Sequence, residues 1–271
     1  MPSRYDRATE VTVGSLRLAA VPVAATVLSF SKIARALETD SVGGVVFPFP
    51  SGLPTLWTYV SLPNGPAGGA GGAPLGGPLS VPLFVVAFLS GLLLTSALEA
   101  GFLGSLSRQI DGSRPSFVES ARRFTLRIAG ANLLRAALVF AALPLLVVPP
   151  VALAVVLVVS YLTYGLSFVV VVRDERLSEA IATTLGLALG GGSYAAYGLA
   201  HLLVGAACSL LLTGLVLNGG PVGIVVGAAV VAVPCVFVAA YGLLVVRDLT
   251  EGEARAAVRG TRPRAPPGGT E

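Results

Sequence analysis

Charged side chains are scarce in this sequence. They make up 12% of the 271 residues, while 54% are hydrophobic, and a soluble domain carries about 25% charged residues. That leaves too little charge to solvate a globular surface of this size, and a mean hydropathy of +0.84 agrees. The apolar residues also fall in long runs, which fixes the class as a membrane protein. Lysine is nearly absent: Lys32 is the only one, and every other basic residue except His201 is Arg. With abundant Ala, Val and Gly, this points to a GC-rich prokaryotic genome. The net charge of +4 is no nucleic-acid signal, because the Arg residues sit in turns between apolar runs. The two cysteines, Cys208 and Cys235, lie inside such runs and make no disulfide framework. A single histidine with no nearby Asp, Glu or Cys makes no metal site, so His201 reads as a core residue. No motif calls for a cofactor.

Six runs meet or approach the roughly 20 apolar residues that a spanning helix needs. They cover residues 11–31, 79–104, 128–148, 151–172, 193–217 and 222–246. Pro149-Pro150 separates the third from the fourth, since proline ends one helix and can open the next. Asn218-Gly219-Gly220-Pro221 is a turn signal between the last two. The sequence therefore predicts an all-α polytopic bundle of about six transmembrane helices, with short amphipathic interfacial helices. It divides into an N-terminal segment with the first helix (1–40), an extracytoplasmic Gly/Pro-rich loop (41–78), a five-helix core (79–248) and a cytoplasmic tail (249–271). The first run contains Arg17 and Pro22. It is read as a span, with an interfacial helix or a signal peptide's apolar region as the alternatives. The apolar run continues without a clear A-x-A cleavage site, and charged residues follow it.

Orientation follows from the basic residues. With the N-terminus inside, sixteen of the 18 fall in cytoplasmic segments and only Lys32 and Arg35 outside, a strong positive-inside bias. Both termini are then cytoplasmic, in a plasma membrane.

The outer loop carries no charge from Ser41 to Leu98. Its first part, Phe47-Pro48-Phe49-Pro50 through Trp57 and Tyr59, is rich in aromatic residues, which favour the membrane–water interface. It is expected on the outer leaflet or as a cap on the bundle. Residues 64–78 read as a flexible Gly/Pro/Ala linker. On the inner side, Ser116-Phe117-Val118-Glu119 fits a capping box. The following helix has a basic face through Arg122, Arg123 and Arg127. Those three are candidate contacts for anionic lipid headgroups, against the plainer reading of an interfacial lead-in to the third helix. Gly190-Gly191-Gly192 reads as a hinge after an interfacial helix at 177–189. Gly223 and Gly227 form a GxxxG pair.

Val171-Val172-Arg173-Asp174 and Val245-Val246-Arg247-Asp248 resemble each other, each followed after four intervening residues by a Glu-Ala, Glu179-Ala180 and Glu253-Ala254. They suggest either an internal repeat or a shared solution for leaving the membrane. Glu99 and Arg135 are the ionisable residues set inside helices, each one or two turns from the predicted cytoplasmic end. Intramembrane charge is a functional-site hypothesis by default. A structural pair is preferred here to a transport site.

The stretch 101–248 resembles a broad group of prokaryotic multi-pass membrane proteins. That group includes archaeal members and the membrane domain of some glycerophosphoryl diester phosphodiesterases. The residues that carry the likeness are Gly101-Phe102-Leu103-Gly104, Asp111-Gly112, the run from Phe168 to Ile181, and Ala188-Leu189-Gly190-Gly191. The resemblance implies a helical bundle and no activity; the soluble phosphodiesterase domain is absent. The functional expectation is a non-enzymatic scaffold or accessory in membrane assembly or homeostasis, with the lipid bilayer as its partner. The rival is a small-solute transporter or permease-like component.

Overall fold

The computed structural model describes residues 3–39, 44–62, 80–142 and 149–260. The predicted linker at 64–78 and the basic tail beyond 260 lie outside them. The described chain is all-α. Four of its helices are long and apolar enough to cross a membrane, or five if a bent N-terminal pair counts as one span. Six spans are not reached by this count.

The first run is not a straight helix. α1 (Arg4–Gly14) and the turn Leu16–Ala19 with α2 (Ala20–Val27) meet at an 80° bend. Ser15 leaves helical geometry there, beside Gly14, a poor helix former. α3 (Phe30–Leu37) follows, then a single helical turn, α4 (Leu56–Tyr59). The second run is longer than predicted: α5 spans Ser80–Ile110. The basic 117–127 stretch is no separate interfacial helix. It forms the first turns of α6, which runs unbroken over Phe117–Ala142. α5 and α6 pack closely because Gly101 and Gly104 of α5 leave room for α6. A Cβ on Gly101 would come within 2.5 Å of the Phe117 ring, and one on Gly104 within 2.5 Å of Ser120 Cβ.

The fourth run breaks at Tyr164-Gly165 into α7 (Pro149–Thr163) and α8 (Leu166–Arg173). α9 (Leu177–Gly190) ends where Gly191 and Gly192 take positive φ of 66° and 55°, conformations that cost glycine little. α10 covers Gly192–Gly260 but reverses at Gly220, where φ is 53° and ψ −135°. Past that turn its two limbs, 192–219 and 221–260, run antiparallel. Tyr197 donates its hydroxyl to the Val238 carbonyl (3.1 Å), and Gly223 lies against the Leu215 carbonyl.

The two look-alike exits differ. The first stops its helix, with Asp174 in the left-handed region (φ 53°). The second passes through Asp248 without a break, supported by an i,i+4 pair from Arg247 to Glu251.

The buried side chains form two clusters. One joins α5, α6, α8, α9 and the limbs of α10 around Phe102, Ile128, Phe168, Tyr194 and Leu243. The other joins α3, α4 and the α10 turn around Leu56, Trp57, Val216 and Ile224.

Candidate functional site

Segment 44–62 determines the site. It neither lies flat on the bundle nor caps it from outside. Its two ends adjoin, since a Cβ on Gly44 would sit 3.1 Å from Ser61 Oγ. Between them the chain dips into the helices. The Val46 amide donates to Ser209 Oγ (3.0 Å), and the Ser61 amide on the return to Thr213 Oγ1 (2.9 Å). Pro48 packs on Gly205, and Phe49 stacks on Tyr164 at 6.2 Å between ring centres. The returning turn is fastened by Thr26. Its hydroxyl accepts from the Leu56 amide (3.2 Å), and its carbonyl accepts from Trp57 Nε1 (2.8 Å). Buried non-helical backbone survives only where protein or a water-filled cavity satisfies it. Here serine and threonine hydroxyls on α2 and α10 do so at entry, turn and exit.

The tip of the segment reaches Glu99. Gly52 lies so close that a Cβ there would overlap Glu99 Oε1 and come within 2.7 Å of Leu103 Cδ1. Glu99 is 7% exposed. It stands 11 residues before Ile110, the end of α5, which is about 16 Å at 1.5 Å per residue. That is deeper than the sequence suggested, because α5 continues past residue 104. Glu99 Oε2 accepts from Asn132 Nδ2 (3.0 Å), as does Ser96 Oγ (3.1 Å). Asn132 Oδ1 in turn accepts from Arg135 Nη1 (2.9 Å), and Arg135 Nη2 donates to the Thr163 carbonyl (2.7 Å). Glu99 and Arg135 are thus brought into one network, joined through the Asn132 amide. The Thr163 carbonyl is freed where the fourth run breaks, so the break and the arginine explain each other. Glu99 Oε1 has no hydrogen-bond partner, and neither has the buried Ser51 Oγ.

The sequence reading missed Asn132, Ser96 and the tip at Gly52. Asn132, a polar residue one turn before Arg135, was the available signal. It also missed a ring network above the site. Tyr164 stacks on Tyr194 at 4.2 Å and meets Tyr197 edge-on at 6.2 Å, and Tyr197 continues to Tyr241 at 5.6 Å. Gly165 and Gly242 leave space for these rings: a Cβ on either would approach Tyr194 or Tyr197 within 2.9 Å.

The basic face of α6 is engaged by the chain itself. Arg123 and Arg127 both bind the Asp174 carboxylate, Arg127 at 2.7 Å, and Arg127 also donates to the Asp174 carbonyl (3.0 Å). These contacts hold the Asp174 carboxyl below its ordinary value, the Arg123 hydrogen bond contributing most. Arg122 is exposed. The neighbouring helix ends are tied in the same way, Arg4 to Asp248 (2.5 Å), Arg247 to Asp111 and Arg108 to Glu119 (2.5 Å). The first and last described helices therefore meet at one end of the bundle. His201 lies apart from Glu99. It lines an apolar cavity of about 350 Å³ with Tyr59, Cys208, Leu212 and Val231. Among the described residues no three His, Cys, Asp or Glu side chains gather to hold a metal. Comparison with family models, curated proteins and solved structures returns no match, so the integral membrane character rests on the helices themselves.

Proposed function

We propose that this chain is a six-pass protein of a prokaryotic plasma membrane that moves a small solute or ion past a sealed polar site in its bundle. The count takes the bent N-terminal pair as one pass and each limb of α10 as one. Both ends are cytoplasmic in this reading, from the Arg distribution. The resemblance to the archaeal-type group is compatible with it.

One observation carries the transport reading: a non-helical segment threaded among the helices covers a buried ionisable network well inside α5. Broken helices, unwound backbone and intramembrane charge are the parts from which transporter sites are built. A merely structural polar pair needs no such cover. The protein performs no covalent chemistry in this reading and takes no cofactor. Its partners are the bilayer and, through the exposed Arg122, anionic headgroups; nucleic acid is not among them.

The scaffold reading is favoured by a different observation. Arg123, Arg127, Arg108 and Arg247 are all spent on internal ion pairs, which suits a rigid inner end.

Cysteine accessibility separates the two. Ser96 is fully buried beside the network. In a chain with Cys208 and Cys235 replaced, Ser96→Cys should react with an impermeant thiol reagent in both right-side-out and inverted vesicles. Protection from both sides over hours contradicts transport and leaves the scaffold.

A further inference from the structure

We propose that Glu99 is a proton-binding carboxyl whose charge state is coupled to the position of the 44–62 tip above it. The proposal rests on the transport reading and names the ion that the site handles.

An ionised carboxylate offers about four lone-pair sites to donors. Here Oε2 receives Asn132 Nδ2, while Oε1 receives nothing and is shut off by the Gly52 backbone. Burying an unmet anionic oxygen is among the costlier arrangements in a protein interior. Two changes relieve it. A proton on Oε1 removes the charge and needs no room, which is the decisive point, because Gly52 leaves none for a hydrated metal ion. Alternatively the tip withdraws, and water reaches both Oε1 and Ser51 Oγ, two buried oxygens at the tip that lack partners in the sealed state. The protonated acid therefore fits the sealed arrangement and the carboxylate fits the open one. Proton release and tip withdrawal are linked, and the linkage is reciprocal. On opening, the carboxylic acid gives its proton to entering water and becomes a carboxylate. On closing it takes one back, and no other reactant is involved.

The charged and titratable groups around Glu99 are few. α6 brings Arg135, held behind the Asn132 amide. α7 and its break bring Tyr161 and Tyr164, beyond Phe49, and α10 brings Tyr194 behind Tyr164. The tip itself, Ser51-Gly52-Leu53, carries no charge. Arg135 is held behind the Asn132 amide and does not touch Oε1, so it does not choose between the two arrangements. The missing partner of Oε1 makes the difference.

The test uses the full chain in nanodiscs, with Cys208 and Cys235 replaced and Ser51→Cys introduced. Labelling by an impermeant maleimide is followed from acidic to alkaline pH. Each rate is divided by that of the same protein unfolded in detergent at the same pH, which cancels the thiol's own titration. The normalised rate should rise about tenfold across the range. With Glu99→Gln, the neutral isostere, it should stay low and flat. Glu99→Asp, which keeps a carboxyl, should retain a pH dependence.

A normalised wild-type rate independent of pH overturns the proposal even if Glu99→Gln fails to fold. An unchanged dependence in a folded Glu99→Gln overturns it too. If sodium at fixed pH governs the labelling and protons do not, the site takes sodium and the proton proposal falls. Labelling that occurs without pH dependence, with Ser96→Cys still reactive from both sides, removes the proton and leaves transport standing.

Discussion

The two halves of the bundle core are held together by different means. The half around Phe102, Ile128 and Leu243 is helix against helix, with Gly101, Gly104, Gly165 and Gly242 admitting the neighbouring side chains. The half around Leu56 and Trp57 is filled by a segment that is mostly not helical, threaded between α2 and α10 and fastened by Thr26, Ser209 and Thr213. The first half satisfies its backbone within its helices except at the break by Gly165, where Arg135 and the tyrosine hydroxyls serve. The second depends on side-chain hydroxyls, so a few substitutions should release it while the first stays folded. A part that can let go while the rest holds is what a gated site requires.

The comparison breaks most severely at the large ring of the second half. Trp57→Ala removes a side chain that is 6% exposed and its indole hydrogen bond to the Thr26 carbonyl. A loss of about 3–5 kcal/mol is expected for a large buried aromatic, read as a lowered unfolding midpoint in detergent. Phe102→Ala should cost a similar amount in the first half, but it should not raise thiol labelling at Ser51→Cys as Trp57→Ala does.

Next in size is the network where the halves meet. Arg135→Ala and Glu99→Ala should each destabilise by about 3 kcal/mol, because each removes one end of the buried hydrogen-bond network that runs through Asn132. The double mutant should cost less than the sum. Additive losses in that cycle would mean that the Asn132 bridge does not couple the two residues.

Smaller effects follow from the fastening hydroxyls. Ser209→Ala or Thr213→Ala leaves one amide of the segment unmet, worth about 1–3 kcal/mol. Both should speed Ser51→Cys labelling before they lower the global midpoint. Equal shifts in both readouts would make the segment as firmly held as the helices.

The mildest change concerns the end of the bundle that carries Asp174. Asp174 has a lowered carboxyl value from its ordinary 3.8. Its contribution is therefore present above that value and is lost as pH falls through the lower folded one. Because the side chain is 40% exposed, solvent screening keeps the effect small. Asp174→Asn should lower the melting midpoint slightly at neutral pH, and the difference from wild type should vanish in strong acid.

Much of the first half is legible in the sequence. Runs of 20 or more apolar residues announce helices, Pro149-Pro150 opens α7, and Asn218 to Pro221 and the Gly190 run mark turns, because these signals are local. The second half is not legible, for a physical reason. Phe47 to Tyr59 has the aromatic and proline content of an interfacial stretch, and composition carries no information about depth. What draws it inward is a set of hydroxyls on other helices, Thr26 30 residues from Leu56 and Ser209 and Thr213 more than 150 residues from the amides they meet, and no local pattern reports that. Glu99 and Arg135 stand out because charge is rare in such runs, but the Asn132 link between them needs three dimensions. The two Val-Val-Arg-Asp exits show the same limit. Identical tetrads end one helix and continue another, because Arg123 and Arg127 grip Asp174 while Arg4 holds Asp248.

The central claim is that segment 44–62 enters the bundle and covers Glu99. A cysteine pair tests it most directly, Pro48→Cys with Gly205→Cys in the chain lacking Cys208 and Cys235, oxidised in native membranes. Pro48 lies against Gly205, one turn deeper on α10 than Ser209. A disulfide should therefore form readily, since bridging needs Cα atoms about 4.4–6.8 Å apart, and it should slow Ser51→Cys labelling when the three are combined. A segment resting on the outer leaflet would leave the pair unbridged under oxidant and Ser51→Cys freely reactive, and that result would contradict the account.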